Sequence, residues 1–155
     1  FNNIWHHGDF AEIKKTNGLI IHGRSDTTLN PGGVRLGTAE IYSEVERFKE
    51  VKESIVVGQS WDNDVRIILF IVMNTKFYLT EDLLKKIKLQ IKKNASPRHV
   101  PSKIIEVKDI PRTKSGKIVE LAVKNILDGN NIKNKEALAN PMALNQFKNL
   151  KELSY

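Results

Sequence analysis

Val51-Lys52-Glu53-Ser54-Ile55-Val56-Val57-Gly58-Gln59 and Val65-Arg66-Ile67-Ile68-Leu69-Phe70-Ile71-Val72-Met73 lie on either side of Asp62-Asn63-Asp64, and their reading decides the fold class. Both arms are rich in Val and Ile, whose branched side chains pack well on a pleated surface. The Asp and Asn residues between them suit a reverse turn. The two arms therefore read as paired strands. Ile67 to Met73 is the longest unbroken apolar run, seven residues. That length suits a buried strand and falls far short of the ~20 residues that span a bilayer.

On the C-terminal side, Thr80 reads as an N-cap, with Glu81 and Asp82 favouring the positive end of the helix dipole. Leu83, Leu84, Ile87 and Ile91 recur at helical spacing, and Ser96-Pro97 stops the helix. Ile104 to Val107 reads as a short strand, Pro111 to Lys117 as an exposed, mobile loop, and Ile118 to Leu127 as a final helix with Gly129 at C′. An asparagine-rich stretch then leads to Asn140-Pro141, which suits the cap and first residue of one more helix. On the N-terminal side, Thr38 opens a helical pattern with Ile41, Val45 and Phe48 on one stripe. Before it, Arg24 to Gly37 reads as a loop or linker, and Phe10 to Ile13 and Leu19 to Gly23 as two strands around an Asn17-Gly18 turn. The order β-β-loop-α-β-β-α-β-loop-α predicts an α+β fold, a small sheet domain with helices packed on it.

The 155 residues, 40% hydrophobic and 28% charged, have ordinary globular composition. The chain opens on Phe1 without a methionine, so an upstream segment is expected. With no cysteine, thiolate metal sites, disulfides and cysteine nucleophiles are excluded, and the four histidines lack metal-ligand spacing. The net charge of +7 is unevenly spread. Lys85 to Lys124 carries twelve basic residues against three acidic ones, a local +9 that suits a polyanionic partner. A small basic nucleic-acid-binding module is one reading of that charge, but the block contains no aromatic residue on which a base could stack.

Three glycine-bearing segments carry the chemistry: Gly8-Asp9, Gly23-Arg24-Ser25-Asp26 with Asn30-Pro31-Gly32-Gly33-Val34-Arg35-Leu36-Gly37, and Pro111-Arg112-Thr113-Lys114-Ser115-Gly116-Lys117. The last superficially suggests a P-loop. That motif needs glycine five residues before Gly116 and Ser or Thr after the lysine, where this chain has Pro111 and Ile118. A P-loop is rejected. What remains is a lysine placed just before a helix, a compact charge on a long stem.

Taken together and in this order, the segments resemble the adenylate-forming acyl-CoA synthetases, specifically their C-terminal domain. Ser96-Pro97-Arg98-His99-Val100-Pro101 and Gly116-Lys117-Ile118-Val119-Glu120 strengthen the likeness. The tail Asn134-Lys135-Glu136-Ala137-Leu138-Ala139-Asn140-Pro141 narrows it to members that activate acetoacetate. The resemblance implies residues 1–25 as the end of a large N-terminal domain, 26–128 as the C-terminal catalytic lid, and 129–155 as an extension. It implies a cytoplasmic ligase that uses ATP and coenzyme A, forms acyl-AMP from a short carboxylic acid, and then forms the thioester. Mg²⁺ would arrive with ATP and owe nothing to this segment, which is expected to be inactive alone.

By the same resemblance, Lys117 is the catalytic lysine of adenylation and Asp26 the hinge of domain rotation. Asp9, Arg24 and Arg35 meet ATP or AMP, while Gly33, Val34 and Lys92 meet coenzyme A. Expected partners are the chain's own N-terminal domain, the carboxylate substrate, and a lysine acetyltransferase and deacetylase acting on Lys117; neither nucleic acid nor membrane is expected.

Overall fold

The computed structural model describes residues 8–25, 27–132 and 134–154. Its centre is the expected strand pair, β3 (Val51–Trp61) and β4 (Asp64–Met73), antiparallel in continuous register from Glu53↔Val72 to Trp61↔Asp64. The pair runs longer than the sequence pattern suggests. Asp62 and Asn63 both take positive φ, 49° and 58°, the primed geometry that joins two right-twisted strands through two residues. A third strand, β5 (Lys103–Glu106), lies parallel to β4 on its other edge. A parallel neighbour requires a crossover, and α2 (Glu81–Asn94) supplies it. Thr80 caps this helix, accepting from the Leu83 N–H at 3.3 Å. Of the four apolar positions on its expected face, Leu83, Ile87 and Ile91 are buried and Leu84 is half-buried.

Both faces of the sheet are covered, which is why β4 is apolar at consecutive positions. Val56, Ile67, Leu69 and Ile71 face one way and pack with Ile41 and Val45 of α1 (Thr38–Val45) and with α2. Ile55, Val57, Ile68 and Phe70 face the other way, against Val123 of α3 (Glu120–Leu127) and Phe147. The helix α1 ends at Val45; Phe48 packs on the same core from the turn beyond. The helix α3 begins two residues later than the periodicity suggests, because Ile118 bridges to Arg112 and the Val119 N–H donates to the Pro111 carbonyl. Its end is a Schellman motif: Gly129 has φ +72°, its N–H reaches the Ile126 carbonyl, and the Asn130 N–H reaches that of Asn125.

The segment after Gly129 has little regular structure before Pro141, a single 3-10 turn at Lys135–Ala137, yet it is packed into the fold. Leu138, Ala143, Leu144, Phe147 and Leu153 are all buried. Pro141–Phe147 is 3-10 rather than α-helical, and the Asn140 side chain does not cap it. Arg66 ties down the far end, donating to the Leu153 carbonyl at 2.7 Å while its guanidinium lies over the Trp61 ring. The extension is thus a layer of the fold.

A separate two-stranded hairpin, β1 (Asp9–Ile13) and β2 (Leu19–Arg24), precedes the sheet. It turns through Asn17 at φ 58° and leaves Ile13, Leu19 and Ile21 more than half exposed. Within the main sheet, Gly58 is required by packing. A Cβ there would sit 2.7 Å from Val65 Cγ1 and 3.5 Å from Leu29 Cδ2. Valine is stiff at χ1, so relief needs a rotamer or strand shift. Gly58→Ala is expected to lower stability by about 1–3 kcal/mol, the usual range for overpacking, read from the denaturation midpoint. An unchanged midpoint would mean that the Val65 side chain yields freely.

Candidate functional site

Gly33, Val34 and Arg35 sit on a closed loop, not an open linker. Leu29 and Leu36 exchange main-chain hydrogen bonds of 3.1 and 2.9 Å, and both are buried. The loop between them turns through Gly32 and Gly33 at φ 57° and 75°, a conformation that favours glycine. The Gly32 N–H points at the Asp64 carboxylate, 2.9 and 3.0 Å from its two oxygens. The loop is therefore pinned to the turn end of the β3–β4 ladder. Val34 packs partly on the core. Arg35 is exposed and borders a cleft of about 560 Å³ between the domain and the hairpin, lined also by Ala11, Ile21, Glu40 and His99.

The hairpin brings two more expected residues together. Asp9 and Arg24 are register partners, and both the N–H and hydroxyl of Ser25 donate to the Gly8 carbonyl, at 2.8 and 3.0 Å. The Arg24 side chain and Asp26, the expected hinge, lie outside the described residues and atoms.

Lys117 lies on a tightly bonded turn where a mobile loop was expected. The Thr113 N–H donates to the Lys117 carbonyl at 2.9 Å, and the Lys117 N–H returns to the Thr113 hydroxyl at 3.1 Å. Gly116, at φ +83°, lets the chain reverse, and Arg112 donates to its carbonyl at 3.0 Å. Arg112 also pairs with Glu53 at 2.9 Å, near the start of β3. The Lys117 side chain is exposed. Lys92 is exposed too, on the last turn of α2.

The lysine turn and the glycine loop are thus anchored at opposite ends of one ladder. Glu53 holds the first, and Asp64, partner of Trp61, holds the second. Eight residue steps separate Glu53 from Trp61, about 26 Å at extended-strand rise. The expected site residues therefore divide into groups on different parts of the surface: Lys117 at one end, Gly33 and Val34 at the other, and Asp9 and Arg24 on the hairpin.

Two part-buried polar constellations escape sequence reasoning. The Tyr42 hydroxyl donates to Glu120 at 2.5 Å and accepts from the Val56 N–H at 3.0 Å. Burial, then the Glu120 charge, push the Tyr42 phenol well above its ordinary value, so it remains a neutral donor that ties the first turn of α3 to α1 and β3. His99, nearly buried, bonds Ser96 through Nδ1 at 2.8 Å and Glu40 through Nε2, on the floor of the Arg35 cleft. Among the described residues no cluster of His, Asp and Glu could hold a metal ion, and no helix is long and apolar enough to cross a membrane.

The layered α+β domain and its basic, glycine-bearing surface segments define an AMP-binding enzyme C-terminal domain. The match to that family covers residues 40–117, half of the chain, and the chain belongs to it. Its relatives are more particular. The acetoacetyl-coenzyme A synthetase of Rhizobium meliloti (strain 1021) is 60% identical over 153 residues, 99% of this chain and 24% of the relative. The acetoacetyl-CoA synthetase of Xenopus tropicalis is 48% identical over 155 residues, with 99% and 23% covered. The solved acetoacetyl-CoA synthetase from Streptomyces lividans superposes with a TM-score of 0.83 at 39% identity, over 93% of this chain and 22% of that one. The chain spans about a quarter of the length of the curated relatives it matches. The expected fold class stands, and the family match favours the ligase reading over the nucleic-acid alternative.

Proposed function

We propose that this chain is the C-terminal end of an AMP-forming acetoacetate–CoA ligase. The observation that carries the reading is the 60% identity to an acetoacetyl-coenzyme A synthetase along nearly the whole chain. In the first step a carboxylate oxygen attacks the α-phosphorus of ATP, and pyrophosphate leaves. In the second, the coenzyme A sulfur attacks the acyl carbon, and AMP leaves. Both steps concentrate negative charge on oxygen in the transition state, where a fixed cation stabilises most.

Lys117 supplies that cation in the first step, between carboxylate and α-phosphate. Asp9 accepts from the ribose hydroxyls, and Arg24 and Arg35 offer forked donors to the nucleotide phosphates. Gly33 and Val34 line the path of the pantetheine arm in the second step, and Lys92 meets the coenzyme A nucleotide. The separation of Lys117 from the glycine loop supports a rotation of the domain between the steps, pivoting at Asp26. Residues 1–25 would end a large N-terminal domain holding the acyl pocket, 26–128 form the lid, and 129–155 pack onto it as an extension. Mg²⁺ would accompany ATP, and the cytoplasm is the compartment this chemistry suits.

The test is AMP release by the whole ligase against acetate, acetoacetate and longer acids. Acetoacetate is expected to give the highest kcat/KM, whereas residues 1–155 alone should release none, lacking the surfaces that hold acid and ATP in attack geometry. Acyl-CoA formation by the isolated chain, free of contaminating synthetase, would overturn the two-domain reading.

A further inference from the structure

The turn that carries Lys117 is held from outside itself, by the extension. Arg112 and Thr113 form one arm of the turn, paired on the inner side with Lys117 and Ile118. On the outer side, Thr113 bridges to Leu138, the Lys114 N–H donates to the Ala137 carbonyl at 3.1 Å, and the Ala139 N–H donates to the Arg112 carbonyl at 2.8 Å. Residues 137–139 thus act as an added strand against the base of the lysine turn. Leu138 is buried with Ala122 of α3 and Leu144, which fixes that strand to the body of the domain.

The next residue is chemically the most specific. Asn140 stands at the N-cap position of the Pro141–Phe147 turn, where its side chain would ordinarily satisfy an orphan N–H, yet makes no cap bond. Its amide is directed entirely at the residues entering the lysine turn. Oδ1 accepts from the Arg112 N–H at 2.8 Å, while Nδ2 donates to the Asp109 carboxylate at 2.7 Å and to the Ile110 carbonyl at 2.9 Å. Only a side chain with an acceptor and two donors on one plane can make that set, which is asparagine or glutamine.

We propose that Asn140 is a positioning residue for adenylation: by fixing residues 109–112 it sets where the Lys117 turn presents its ammonium. This rests on reading Lys117 as the adenylation lysine. A lysine on a long stem has many rotamers, so the anchoring of its backbone limits how often the charge reaches the α-phosphate. Small displacements of a catalytic group are costly in rate. Coenzyme A transfer, which uses the opposite end of the ladder, should not depend on the clamp.

Asn140→Asp tests this. The carboxylate can still accept from Arg112, but it cannot donate to Ile110 and faces the Asp109 charge. In the whole ligase, acid-dependent pyrophosphate exchange should fall about tenfold in kcat with KM for ATP little changed, as expected of a misplaced group. Thioester formation from supplied acyl-adenylate should be unaltered. The double variant Asp109→Asn/Asn140→Asp reverses the donor and acceptor and should recover part of the exchange rate. Lys117→Ala is assayed alongside. If it cripples exchange while Asn140→Asp leaves exchange intact, or lowers both half-reactions alike with no recovery in the double variant, the positioning role is wrong. If Lys117→Ala itself leaves exchange intact, the reading of the lysine falls, and this inference with it.

Discussion

In the whole ligase proposed above, Lys117→Ala is expected to abolish most acid-dependent pyrophosphate exchange while leaving thioester formation from supplied acyl-adenylate near normal. A cation lost from a partly desolvated transition state is commonly worth ~3 kcal/mol or more, about a hundredfold in rate. The geometry explains why the loss should fall on one half-reaction. Lys117 hangs from a turn anchored beside Glu53, whereas Gly33 and Val34 sit on a loop anchored by Asp64 at the other end of the ladder. A single reaction centre cannot meet both ends of a rigid strand pair at once. Whichever end faces the proposed large domain, the other is turned away. Measuring the two half-reactions separately decides the matter. An equal loss in both would place Lys117 in general nucleotide binding or in folding, and would remove the argument for alternation that rests on it.

Most of what local chemistry dictates was legible in the sequence. The start of α2 followed from Thr80 and the end of α3 from Gly129, because those partners lie within a few residues, and the strand pair followed from two branched arms joined by a short polar turn. Longer-range partnerships were not. Tyr42 and Glu120 are 78 positions apart, and Gly32 and Asp64 are 32 apart; nothing in the spacing of either pair announces contact. Asn140-Pro141 shows how a sound local rule is overridden. The dipeptide does begin a helical turn, but the asparagine amide gains more partners at residues 109–112 than a cap would give it. The lysine loop looked mobile for the same reason. Its polar, glycine-bearing sequence is that of a loop, and the strand that steadies it lies some twenty residues further on. The candidate site residues could be named only through resemblance to a family, since an exposed lysine or a Gly-Asp pair carries no chemistry that composition could single out.

Phe147→Ala should be the most damaging substitution in the extension. A segment loosely appended to a finished domain would tolerate it. Here the ring is 1% exposed and meets Phe70 of the central strand edge-on, with centroids 4.8 Å apart and planes at 83°. Ile55, Ile110, Val123 and Leu153 belong to the same cluster, so removing the ring opens a cavity between the sheet and α3. Truncating a buried phenylalanine typically lowers stability by about 3–5 kcal/mol, part from lost transfer energy and part from the void. Against the ~5–15 kcal/mol that holds an ordinary domain, this is a large fraction. Met142, in the same short turn but 76% exposed, provides the control, and Met142→Ala should lie within about 0.5 kcal/mol of the parent. Denaturant melts of both variants read the difference, provided the slope is unchanged and the midpoint alone moves. A shift below about 1 kcal/mol for Phe147→Ala would mean that the sheet closes its second face without the extension, because a core position with this burial cannot otherwise lose an aromatic ring so lightly.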